Sequence, residues 1–186
     1  GFHEPAYRSI VSMLYRTPLL LGFLSIGHDI IFYLGHRFIL HTSWGIPIFR
    51  HDIHHRAKAS SAISALYMHP LDFFLEVVLP FLIPFALVSN LSSSYLNILM
   101  PGIAALGGCY EHSGFNFWPN VTGLDTRLHI SHHARWNVSF SDGVGSANLM
   151  DSMFGTAADV NALHTSPNLS LESPDSSKMT SKSSPR

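Results

Sequence analysis

Cysteine is almost missing from this chain. Cys109 is its single thiol, which excludes an internal disulfide and any zinc or iron–sulfur site built from several thiolates of one chain. Charge is scarce too. Charged residues make up 12% of 186, about half the usual share for a soluble protein. The 11 Lys and Arg nearly balance the 12 Asp and Glu, so composition gives no electrostatic footprint for a nucleic acid. No G-x-G-x-x-G follows a strand, and no Walker loop, H-E-x-x-H or G-x-S-x-G occurs, which removes the usual anchors of nucleotide, zinc-protease and serine-hydrolase chemistry. His3, Glu4, Pro5 and Arg8 precede any apolar run, so no signal peptide is expected. The chain opens on Gly1 rather than Met, as a fragment, a processed form or a gene model lacking its start would.

Histidine is what the chain has in excess, 13 in all. Six of them form two triplets, His51-Asp52-Ile53-His54-His55 and His129-Ile130-Ser131-His132-His133. At this histidine frequency one H-x-x-H-H is expected by chance roughly 0.06 times per chain. On an α-helix positions i, i+3 and i+4 share a face, so each triplet should aim three imidazoles one way. Two such faces turned together would build a metal site rich in nitrogen, since imidazole suits Zn, Cu, Fe and Ni. A third pair, His36 and His41, is spaced by five residues, which is not a same-face spacing in an α-helix. His41 should therefore lie where a helix ends, with Ser43, Gly45 and Pro47 nearby to stop it.

Apolar stretches surround these boxes. Thr17 to Gly35 is interrupted only by His28 and Asp29, and Phe73 to Val88 and Tyr95 to Gly108 follow. Pro80 and Pro84 in the second stretch argue against an ordinary soluble helix, whereas membrane helices tolerate kinks. The expected architecture is all-α, an integral membrane helical bundle with a histidine-rich di-metal site at its cytosolic face. Residues 73–108 would form a membrane hairpin, which returns the chain to the side it left, so all three boxes meet at one face. Arg37, Arg50, Arg56, Lys58, Arg127 and Arg135 lie on that side, and short basic loops favour the cytosol. The expected divisions are an N-terminal flank over 1–16, a membrane domain over 17–160 and a disordered Ser/Pro-rich tail over 161–186.

The candidate ligands are His36, His41, His51, His54, His55, His112, His129, His132 and His133, with His69 a tenth. His69 precedes Pro70 and would otherwise stabilise a turn there. The set exceeds the four ligands of a structural zinc and suffices for two metals with positions left open. Asp29, Asp52, Glu111 and Asp151 are candidates to accept the far N–H of a ligand histidine. His28 is read as a supporting donor or a packed polar residue, and His3 and His164 as solvated.

The ordered boxes resemble the fatty acid hydroxylase/sterol desaturase superfamily. Tyr67-Met68-His69-Pro70-Leu71-Asp72 is similar to a Y-x-H-P-L-E/D segment of its sterol-acting branches. Glu111-His112-Ser113-Gly114-Phe115 resembles the H-S-G-Y segment of C4-methylsterol oxidases and sterol side-chain hydroxylases, and Met150-Asp151-Ser152-Met153-Phe154-Gly155-Thr156 resembles a closing W-D-R-I-F-G-T. The resemblance covers about residues 25–157. It implies an integral membrane enzyme of the endoplasmic reticulum with two iron ions, using O2 to hydroxylate or desaturate a sterol or a fatty-acyl or sphingoid chain. It also implies electrons from NAD(P)H through a separate donor of the cytochrome b5 type. Members commonly carry a further apolar hairpin before the first box, and Ser152 and Met153 replace a basic–aliphatic pair. A second expectation is a regulatory metal-binding membrane protein without turnover; a zinc hydrolase fits worse, because the histidines outnumber what one zinc uses.

Overall fold

A computed structural model of the chain describes residues 6–59, 61–88, 94–141 and 146–160. His3, the tip of the expected hairpin at 89–93, residues 142–145, and the expected tail with His164 lie outside the described residues. Every regular element among those described is helical.

Helix α1, Ala6–Gly35, passes directly into a π-turn, His36–Leu40. The π-turn closes with a bond from His41 N–H to His36 O, 3.0 Å. Widening the turn to i→i+5 puts His36 and His41 on one side, which the α spacing does not do. The helix does end at His41, as expected. The chain then doubles back sharply: a Cβ on Gly45 would lie 1.8 Å from Ile39 O, so only glycine fits. Two short helices follow, α2 (Gly45–Phe49) and α3 (His51–His54), separated by Arg50 in the left-handed region at φ 61°. The second box continues into a 3-10 turn, His55–Ala57, and another 3-10 turn covers Ala62–Leu66.

Pro70 begins α4 (Pro70–Phe73), where its fixed φ suits the first turn. A π-turn over Phe74–Val78 and helix α5, Leu79–Val88, continue it. Helix α5 packs along α1, and Gly27 makes this possible: a Cβ there would sit 2.8 Å from Pro84 Cβ. Helix α6, Ser94–Glu111, packs on the Ala62–Leu66 turn. Helix α7, Arg127–Arg135, carries the third box. Asp125 anchors its start by accepting from Asn120 N–H at 2.7 Å and from the Arg127 guanidinium at 2.6 Å. Helix α8, Leu149–Phe154, is capped from α1: Asp29 accepts from Leu149 N–H at 2.7 Å and Met150 N–H at 3.1 Å.

The usual partition of residues is inverted. Among the described residues the fully enclosed side chains include His51, His54, His132, Glu111, Asp29, Asp72 and Asp151, whereas Leu19, Leu87, Ile98 and Leu106 are more than 70% exposed. Two segments, Leu14–Leu40 with 27 residues and Pro70–Val88 with 19, are long and apolar enough to cross a membrane, and Ile98–Glu111 is a shorter apolar helix.

Candidate metal centre

The histidines gather into two clusters. One joins His36, His41, His51, His55 and His132; the other joins His54, His112, His129 and His133. Each triplet is divided between them. His51 and His55, related by i and i+4, face the first cluster while His54 faces the second. His129 and His133 face the second while His132 faces the first. The expectation that all three imidazoles of a box aim one way is thus corrected. The i,i+4 pair stays together, and the i+3 member, about 60° from i and about 100° from i+4 around the helix, reaches the neighbouring cluster.

In the first cluster the Nε2 atoms confront one another. His51 Nε2 lies 3.2 Å from His36 Nε2, 3.1 Å from His41 Nε2 and 3.0 Å from His55 Nε2. His132 Nε2 lies 3.1 Å from His41 Nε2 and 3.2 Å from His55 Nε2. In the second, His129 Nε2 is 2.8 Å from His112 Nε2 and 3.0 Å from His133 Nε2. Such spacings match the edge of a coordination polyhedron: with imidazole bonds of about 2.1 Å, ligand atoms at right angles stand roughly 3 Å apart.

The other ring nitrogens explain which atoms point inward. His36 Nδ1 donates to Phe140 O at 2.8 Å and His132 Nδ1 to Val138 O at 2.8 Å. Carbonyl oxygens only accept, so both protons sit on Nδ1 and both Nε2 atoms offer lone pairs. His51 Nδ1 donates to Asp72, 2.9 Å from Oδ1. Ser64 Oγ spends its own proton on Ser61 O, at 2.6 Å, so His112 Nδ1 donates to Ser64 Oγ at 3.0 Å. A single proton satisfies one of these confronting lone-pair contacts; a cation satisfies all of them. The donor set, entirely imidazole with the Nδ1–H of His36, His51, His112 and His132 bound on the outward side and His55 and His133 Nδ1 left without a hydrogen-bond partner, fits two transition-metal ions.

Electrostatics agree. Burial, and then the neighbouring imidazoles, lower His41 to about 2. Burial lowers His112 to about 4, and burial opposed by the Val138 carbonyl lowers His132 to about 3. Burial and imidazole neighbours also hold His54, His55, His129 and His133 well below the ordinary histidine value. These rings stay neutral near pH 7, as ligands must. His51 is the exception. Burial pushes it down, but the Glu76 and Asp72 carboxylates outweigh that and raise it to about 9. Without a metal His51 therefore carries the cluster's proton on Nε2, which an ion would displace.

The eight box histidines and His112, which follows α6, thus converge, and His69 does not. Its Nδ1 accepts from Leu71 N–H at 3.3 Å as the N-cap of α4, the turn role open to it in the sequence. His28 stacks on Phe32 and lines a cavity rather than a cluster. Asp52 pairs with Arg50 and Arg56 at the surface, and Asp29 and Asp151 bind backbone N–H groups. Two carboxylates reach ligand histidines, Asp72 and Glu76; Glu76 Oε2 is 3.3 Å from His51 Nδ1 and its Oε1 is 3.6 Å from His54 Nε2. Sequence reasoning missed both; the signal for Asp72 was its place at the end of Tyr67–Asp72.

A cavity of about 370 Å³ opens on the second cluster. Phe32, Phe73, Val77, Phe81, Leu82 and Ala105 wall it, and His54, His112, His129, Glu76 and Glu111 close its polar end. None of the five histidines of the first cluster lines it.

Comparisons with known proteins add the family. The fatty acid hydroxylase family model matches residues 21–156. Two curated relatives, each named "Fatty acid hydroxylase domain-containing protein 2", from Homo sapiens and Macaca fascicularis, are 26% identical over 141 residues, 74% of this chain. That alignment spans only 38% of their length. No solved structure matches. The family match takes in all nine converging histidines and most of the chain, and on that ground this chain belongs to the fatty acid hydroxylase family.

Proposed function

We propose that this chain is a membrane-embedded oxidoreductase that uses O2 and two iron ions to hydroxylate or desaturate a lipid, either a sterol or a fatty-acyl or sphingoid chain. The observation that carries the reading is the apolar cavity ending on the four-histidine cluster. His36, His41, His51, His55 and His132 would hold one ion, and His54, His112, His129 and His133 the other. Bound iron supplies O2 activation and attack on an unactivated C–H bond. The chain's own residues do the rest. An ion held by the four-histidine cluster would sit where the cavity ends, so a hydrocarbon chain entering the cavity would arrive beside it. The aromatic and aliphatic walls exclude water.

The membrane reading rests on the apolar exterior of α1, α5 and α6 around a polar interior, since an exposed apolar surface of this extent needs a partner. Just beyond α6, exposed Phe117 stacks on Tyr110 and exposed Trp118 meets the same ring edge-on; both suit the interface where aromatic rings sit. Exposed Arg50, Arg56, Lys58 and Arg135, on or beside the elements that carry the boxes, favour a cytosolic face. We place the domain over 17–160, in the endoplasmic reticulum, with electrons from NAD(P)H through a cytochrome b5-type donor.

The test is metal analysis of detergent-purified chain together with lipid profiling of cells lacking and expressing it. Two irons per chain and a precursor that disappears on expression, but persists with His54→Ala, support the reading. Iron-free protein and an active His54→Ala variant overturn it.

A further inference from the structure

The C-terminal end of the described chain reaches the five-histidine cluster without giving it a ligand. Residues 138–141 have no regular secondary structure, yet their carbonyls hold two ligand rings: Val138 O accepts from His132 Nδ1 and Phe140 O from His36 Nδ1. An irregular segment has no ladder of its own to aim a carbonyl. Here the aim comes from Asp151, which is 1% exposed. Its Oδ1 accepts from Phe140 N–H at 3.0 Å and its Oδ2 from Ser141 N–H at 2.9 Å. The Ser141 N–H and the Phe140 C=O belong to one peptide group, planar and stiff. One edge of that plane is therefore fixed by Asp151 and the other presents its oxygen to His36.

Asp151 is itself held. Thr156 Oγ1 donates to Asp151 Oδ1 at 2.6 Å, Tyr33 Oη donates to Thr156 Oγ1 at 3.0 Å, and the Arg37 guanidinium donates to Tyr33 Oη. The chain of bonds thus starts and ends on the α1–π-turn segment, Arg37 being the neighbour of the ring that Asp151 aims.

We propose that Asp151 is a positioning residue for the five-histidine cluster. Acting through the 140–141 peptide, it sets the orientation of the His36 ring and makes its Nε2 more basic, because an anion on the N–H polarises the C=O that receives the His36 proton. Asp72 does this for His51 directly; Asp151 does it at one peptide's remove. The inference rests on the reading that the clusters bind metal.

The test is a titration of the full chain, purified in detergent and stripped of metal, with Co(II) alone, followed by visible absorption and metal analysis. The wild type should show two sites. Asp151→Asn, which turns an N–H donor toward one of the two backbone N–H groups, should weaken one site by about 10–100-fold and leave the other unchanged. Its absorption change should match in kind that of His36→Ala. Asp29→Asn removes another buried carboxylate, one that binds the same C-terminal segment from α1 without touching the 140–141 peptide, and should spare both sites. Should Asp151→Asn fail to fold, Thr156→Val should weaken the same site severalfold. Both sites unchanged in the variant that folds, both weakened alike, or the same change from Asp29→Asn overturns the inference. A wild-type chain that takes up no cobalt sinks the metal reading, and the inference with it; two wild-type sites unaffected by these variants sink the inference alone.

Discussion

Asp72 shows how much a single carboxylate decides here. It is fully enclosed, and it holds the Nδ1 proton of His51 so that Nε2 faces the cluster. Asp72→Ala should weaken metal binding by about 10–100-fold, measured by chelator competition, and Asp72→Asn, which keeps an acceptor oxygen, by less. The enclosed imidazoles also set a pH dependence. In the metal-free protein His41, His112 and His132 titrate at about 2, 4 and 3, against about 6.5 in an unfolded chain. Between pH 6.5 and 4 the unfolded chain takes up protons that the folded chain refuses, so stability falls with acid. His51, raised to about 9, is protonated in both states across that window and adds no slope there. Its stabilisation is complete below about 6.5 and is lost as the pH rises through 9. The unfolding midpoint of metal-free protein should be lower at pH 5 than at pH 7; equal midpoints would contradict neutral packing of the rings.

At the scale of elements, the turns matter more than the helices. The π-turn at His36–Leu40 reconciles a five-residue spacing with a shared face, and the doubling back at Gly45 lets α3 return beneath it. Gly45→Ala drives a methyl into Ile39 O and should cost about 3 kcal/mol, the upper end for overpacking, read from unfolding in detergent. These turns also mark the limit of what the sequence discloses. The apolar stretches, the helix end at His41 and the convergence of nine histidines were legible, because periodicity and spacing are local properties. The division of each triplet was not. It depends on α3 being a single turn and on α7 lying between two clusters, both set by tertiary packing. The carbonyls of Val138 and Phe140 were invisible for a simpler reason: every residue carries one, and only the fold selects these two. His69 shows the opposite case, where the plain capping role before Pro70 describes what the structure contains.

For the whole molecule, the cavity and the metal clusters are separable. Ala105 lies on the cavity wall contributed by α6 and belongs to neither histidine cluster. Ala105→Trp should fill the hydrocarbon space and lower product formation at least tenfold while both metals stay bound, as lipid analysis paired with metal analysis would show; lost metal or undiminished product would detach the cavity from the reaction. The five-histidine cluster also spans the sequence, bringing His41 beside His132 across 91 positions. An ion seated there closes that long loop much as a covalent crosslink would, in a chain whose lone thiol can form none. Cells starved of the ion would then lose the polypeptide as well as its chemistry, because a chain with its staple removed opens more often to cellular proteases.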